Sequence, residues 1–250
     1  MKKMIFLLTI LSMVTLLQAE NNIHLTAQQI LKKSIDISSP ETMYSITKQI
    51  VYTYTGKKRI FLVKSWAKDK NNKMLFEYIK PARVKGDKFL FLKGGDIWAY
   101  FSKTGRIRRI ASSAKKSKMQ GSDFSYEDIS MMSSLEKDFK SKIIKTEKFE
   151  GKDCYVLELK PVKKDISYNK LIAYIDTENF ALLKLEFYKK NKLLKYMIQR
   201  DYKKIDNFYI PYTTIMKSVK NDTKTESYIK KLKINIDIAD RKFNKNTLAR

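Results

Sequence analysis

The apolar positions of the chain keep two different periods. Between Leu25 and Ile35 they recur at helical spacing: Ala27, Ile30, Leu31 and Ile35 fall along one face. Thr26 stands at the N-cap, and Gln29, three residues on, can bond back to it. From Met43 the period drops to two, because successive side chains leave a strand on opposite sides. Extended runs follow at Met43–Tyr54, Lys58–Lys68 and Lys73–Ile79, with Gly56-Lys57 and Asp69-Lys70-Asn71-Asn72 as turns. Further short runs end at Leu92, Phe101 and Ile110. The rhythm breaks over Lys115–Lys137, where a short helix is predicted around Asp128–Leu135, and strands resume from Lys140 to the C-terminal region. No repeat, linker or domain boundary is visible. The pattern predicts a mainly β fold: an open (incomplete) antiparallel β-barrel of about 10–11 strands, since so wide a sheet curls, with two or three helices.

Three runs do not alternate. Phe89–Leu92, Ile97–Phe101 and Ala181–Leu185 are apolar on both faces, so each needs cover on two sides. One cover is the core; the other must be a helix, a second sheet or a ligand. With so few helices available, the surplus predicts an apolar cavity under the helices, where an acyl chain would gain about 0.8 kcal/mol per buried methylene. Phe89, Phe91, Trp98 and Tyr100 are the candidate wall residues, with Phe124 and Tyr126 near the rim. Alternation puts Trp98 and Tyr100 on one face and Ile97, Ala99 and Phe101 on the other, without saying which points inward.

The N-terminus changes where this fold should be sought. Lys2-Lys3 precede an apolar run from Met4 to Leu17, and Ala19 offers a small residue before Glu20. This is the pattern of a cleaved signal peptide spanning 1–19, leaving 20–250 as a single exported domain. The run is shorter than the ~20 apolar residues of a spanning helix. The one cysteine, Cys154, lies in a strand-like run and reads as a small buried hydrophobe.

A formal net charge of +26 adds candidate partners: nucleic acid, an anionic membrane surface, or anionic ligands. Export and the lack of any nucleic-acid-binding motif argue against nucleic acid. Much of the lysine is spread over the chain and reads as solvated faces. Arg106, Arg108 and Arg109 are concentrated enough to be a headgroup or partner contact, or else a strand edge guarded against aggregation.

Catalytic chemistry is thin. The single histidine, His24, excludes a histidine-based triad or a multi-histidine metal site, and Gly94-Gly95 is a turn, not a phosphate loop. Glu77 and Glu186 sit in apolar strands but have many lysines to pair with, and Asp123 and Asp128 suit turn bonding and helix capping. No enzyme activity, cofactor or metal is expected.

Arg83-Val84-Lys85-Gly86, Phe89-Leu90-Phe91-Leu92, Ile97-Trp98-Ala99-Tyr100, Arg106-Ile107-Arg108-Arg109-Ile110 and Gly121-Ser122-Asp123-Phe124-Ser125-Tyr126-Glu127-Asp128 together resemble the outer-membrane lipoprotein-sorting protein family, related to the periplasmic carrier LolA. The resemblance implies an incomplete β-barrel with helices across its mouth. It also implies a periplasmic, non-enzymatic shuttle, monomeric, that takes acyl chains of a lipoprotein or phospholipid toward the outer membrane. Its partners would be inner- and outer-membrane transport proteins or the membrane surface. The alternative within the same fold is a periplasmic sensor that docks a protein through its basic loop.

Overall fold

Thr26 caps the first helix, α1 (Ala27–Asp36), as the spacing predicted: Gln29 N donates to the Thr26 hydroxyl (3.3 Å) and Thr26 N donates to Gln29 Oε1 (2.8 Å). The structure is a computed structural model that describes residues 25–249, so the leader and His24 lie outside the described residues. Beyond α1 come β1 (Thr42–Tyr52), β2 (Lys58–Lys68), β3 (Lys73–Lys80), β4 (Lys88–Leu92), β5 (Asp96–Phe101) and β6 (Arg106–Arg109). The irregular stretch contains α2 (Tyr126–Met132) and α3 (Leu135–Asp138). The chain then runs through β7 (Phe139–Phe149), β8 (Lys152–Pro161), β9 (Lys170–Asp176), β10 (Leu182–Lys189), β11 (Lys192–Ile205), β12 (Phe208–Ser218) and β13 (Thr223–Ile234).

The thirteen strands of the described residues form one antiparallel sheet in the order β6-β5-β4-β3-β2-β1-β13-β12-β11-β10-β9-β8-β7. The count exceeds the expected ten or eleven because every extended run forms its own strand, including the four-residue β6, whose side chains are all exposed. The first and last strands meet at the centre of the sheet, and β6 and β7 are its free edges. Met74 of β3 and Leu159 of β8 line the same cavity although eight strand steps separate them in that order. Eight steps of a flat sheet would span about 38 Å, so the sheet must curl into an open barrel.

The face that carries the helices is the inner one. One inner cluster joins α1, α2 and α3 to β8–β12 through residues such as Ile30, Leu31, Met131, Leu135, Leu157, Leu185 and Phe187. A second joins α2 to β1–β5 through Phe61, Tyr78, Phe89, Phe91, Ile97 and Tyr126. The helices thus bridge both halves of the curled sheet.

The outer face resolves the two-sided strands. Asn235 adopts a left-handed backbone (φ +52°) that turns the chain out of the sheet, ending β13 at Ile234, whereas the extended pattern of the sequence runs from Thr223 to Ile238. The following residues lie as a strap across β2–β5. Ile236, Ile238, Phe243 and Leu248 pack on Leu75, Leu90, Leu92, Trp66, Trp98 and Tyr100. Lys242 and Lys245 sit over the rings of Trp66 and Trp98, 4.0 and 4.6 Å from their centroids. The second cover of these strands is the chain's own C-terminal segment. A separate outer cluster forms around Cys154, Ala181 and Leu183.

At the edge of that cluster Asp176 has a side chain only 2% exposed. Burial opposes its ionisation, but Lys152 (2.7 Å) and the N–H groups of Glu178 and Asn179 outweigh it and hold the carboxyl below its usual range. Such a group stabilises the fold above its unfolded pKa of about 3.9, and that contribution disappears as pH falls through the lower folded value. Asp176→Asn should therefore flatten the acid limb of stability below about pH 4, read by urea titration at successive pH values.

Candidate functional site

The segment Gly121–Asp128 fastens α2 to the sheet at several points. Gly121 (φ +71°) approaches Arg59 so closely that a side chain would begin 2.7 Å from the guanidinium, which donates to the Gly121 carbonyl (2.8 Å). The Asp123 carboxylate, 1% exposed, accepts from the hydroxyls of Thr223 and Thr225 on β13 and from Lys118 (2.7 Å). Its backbone N–H donates to Thr225 Oγ1 (2.8 Å). Ser125 and Asp128 form a reciprocal cap for α2 (3.1 and 2.6 Å). Glu127 Oε1 accepts from Ser167 N (2.6 Å).

Asp128 does more than cap. Its Oδ1 accepts from the Tyr168 hydroxyl (2.7 Å), and its Oδ2 pairs with Lys195 of β11. The side chains of Asp128 and Lys195 are 2% and 12% exposed. The Lys195 ammonium also faces the rings of Tyr168 and Phe187. Burial, reinforced by Asp128, holds the Tyr168 hydroxyl protonated far above its usual range, so it serves as a fixed donor.

Under this latch lies a cavity of about 310 Å³ between α1, α2 and the inner face. Its walls are chiefly apolar: Leu31 and Ile35 from α1, Phe124, Ile129 and Met132 beside or on α2, and Ala173, Leu185, Phe187, Met197, Ile210 and Met216 from the sheet. Adjoining it is a vestibule of about 300 Å³ with many charged lining residues, formed by the Gly94-Gly95 turn, the 112–116 segment and residues of α2 and α3. Lys93, Lys115, Lys116, Lys137 and Lys163 line it together with Glu127, Asp138 and Asp165. The two spaces share Asn71, Met74 and Ser133 as wall.

The six aromatic candidates are distributed among these regions. Phe124 lines the cavity, Phe89 and Tyr126 meet at a tilt in the neighbouring inner cluster with ring centroids 5.7 Å apart, and Phe91 reaches the vestibule. Trp98 and Tyr100 share the outer face beneath the C-terminal strap. Arg106, Arg108 and Arg109 stand exposed on the edge strand β6, where Arg109 pairs with Asp96. Among the carboxylates, Glu186 pairs with Lys184 and accepts from Tyr188 (2.9 Å). Sequence reasoning missed Lys195, Tyr168 and most of the cavity wall. Leu185 and Phe187 did carry a signal, because they sit two apart in or beside a strand run without alternation.

An unclosed antiparallel barrel, with helices tied across its inner face above an apolar cavity, is a LolA-like fold. A family model described as "Uncharacterized protein" matches residues 70–250, and the chain belongs to that family. A crystal structure of an outer membrane lipoprotein-sorting protein domain from Vibrio parahaemolyticus is 25% identical, with a TM-score of 0.83 over 90% of this chain and 98% of that one. A DUF1329 family protein from Desulfovibrio piger is 22% identical, with a TM-score of 0.82 over 89% of this chain and 97% of that one. A LolA superfamily protein from Nitrosomonas europaea is 22% identical, with a TM-score of 0.74 over 89% and 99%. No curated protein matches the chain.

Proposed function

We propose that this protein is a non-enzymatic periplasmic carrier that holds an acyl chain of a lipid or lipoprotein in the inner cavity and conveys it toward the outer membrane. The observation that supports this reading is the cavity itself: about 310 Å³ of apolar space beneath helices fastened by polar contacts. That volume stands at the lower end of small-ligand sites, which suits one acyl chain with the helices closed. Residues 20–250 act as one domain on this reading, after removal of the leader 1–19, consistent with a sheet whose first and last strands pair.

The test is uptake of a fluorescent fatty acid by the purified mature protein. Saturable uptake is expected. Ala173, only 1% exposed and part of the wall, provides a way to fill the space without adding charge. Ala173→Phe, and independently Thr214→Phe at another residue of the wall, should weaken uptake at least about tenfold while the thermal midpoint stays within a few degrees. Absent uptake by the wild type, or equal uptake by both filled variants, would refute an acyl-binding cavity.

A further inference from the structure

We propose that the lysine-lined vestibule receives the phosphodiester headgroup of the lipid whose chain occupies the cavity, with Glu127 accepting a hydrogen bond from that headgroup. This rests on the acyl-binding reading above and deepens it by naming the cargo as a phospholipid that carries a hydrogen-bond donor.

Three observations converge. First, vestibule and cavity share Asn71, Met74 and Ser133, so an amphiphile can place its chain in one and its head in the other. Second, among the described residues Lys93, Lys115, Lys116 and Lys137 form no ion pair, whereas Lys163 is engaged by Asp138 (2.6 Å). Unpaired ammonium groups around one concavity favour an anionic group there. Gly95, with φ +84°, leaves room for the Lys115 ammonium, which stands 3.2 Å from where a side chain would begin. Third, Glu127 is 9% exposed, and its Oε2 has no hydrogen-bond partner although Oε1 is held by Ser167 N. A buried carboxylate oxygen without a donor is costly unless a ligand supplies one. The ammonium of phosphatidylethanolamine or a hydroxyl of phosphatidylglycerol would do so. The quaternary ammonium of phosphatidylcholine has no N–H to give.

The experiment incubates the mature protein with vesicles of equal parts phosphatidylglycerol, phosphatidylethanolamine and phosphatidylcholine, doped with diacylglycerol. The protein is then re-isolated and its lipid quantified by mass spectrometry. Phosphatidylglycerol and phosphatidylethanolamine should load about tenfold over phosphatidylcholine, the scale of one charge-assisted hydrogen bond. The triple variant Lys93→Gln, Lys115→Gln, Lys116→Gln should lose most phosphatidylglycerol while loading diacylglycerol as the wild type does. Equal loading of the three phospholipids, or a triple variant indistinguishable from wild type, overturns the headgroup site and leaves the cavity reading standing. A protein that loads no lipid, diacylglycerol included, removes both. Displacement of phosphatidylglycerol by millimolar inorganic phosphate would assign the lysines to a free anion and overturn the lipid source.

Discussion

Phe243→Ala will lower the thermal midpoint by about 6–12 °C without altering fatty-acid uptake measured well below the transition. The side chain is 6% exposed and packs with Ile238 and Leu248 onto Leu75, Leu90 and Trp98. Truncating a buried phenylalanine costs about 3 kcal/mol at the low end of the measured range, and each kcal/mol moves a domain of this size by roughly 2–4 °C. None of the strap lines the cavity, so stability and binding should separate. Ending the chain at Asn235 should have a larger effect, because it uncovers the apolar outer side of β2–β5 as a continuous patch. That variant should bind a hydrophobic dye and associate on size exclusion. A truncated chain with the wild-type midpoint and no dye binding would show that the strap contributes nothing.

The second large effect concerns the latch. Lys195→Met should destabilise the protein by about 3–5 kcal/mol, because it leaves the Asp128 carboxylate buried beside Tyr168 without its counter-charge. Adding Asp128→Asn removes that stranded charge and keeps an acceptor for Ser125 N–H, so the double variant should recover most of the loss. Chemical denaturation of the two single variants and the double gives the coupling energy directly. A double variant as unstable as the sum of its parts would mean that the pair acts only as two separate contacts. Because α2 also roofs the cavity, the recovered double variant should take up fatty acid faster than wild type in stopped-flow measurements.

Much of the architecture was legible because it follows from local alternation. The capping residues Thr26 and Gln29 set the start of α1, Gly and Asx turns marked the hairpins, and strands without alternation announced that both faces would be covered. Trp98 and Tyr100 were correctly paired on one face by parity alone. Which face was inner depends on how strands far apart in sequence curl around the helices, and parity carries no such information. The outer cover was invisible for a related reason: Ile236, Ile238, Phe243 and Leu248 are spaced irregularly, with no period to betray them. In the Gly121–Asp128 segment, read as turn and cap, Asp128 does cap α2, whereas the Asp123 carboxylate bonds across to β13 and Lys118 and not within its own turn. The segment's partners Thr223, Thr225, Tyr168 and Lys195 lie 40 to 102 residues away and could be found only in three dimensions.

Leaving the barrel unclosed has a consequence for the molecule in a crowd. β6 and β7 each expose one unpaired backbone edge, and such edges are templates onto which another chain can add. β6 carries three arginines in its four exposed positions, and β7 is mostly exposed with lysine at Lys140, Lys142, Lys145 and Lys148. A second copy approaching either edge meets like charge before it can form a ladder. Neutralising these side chains would therefore remove the charge that guards both edges against pairing with another chain, with no change to the interior.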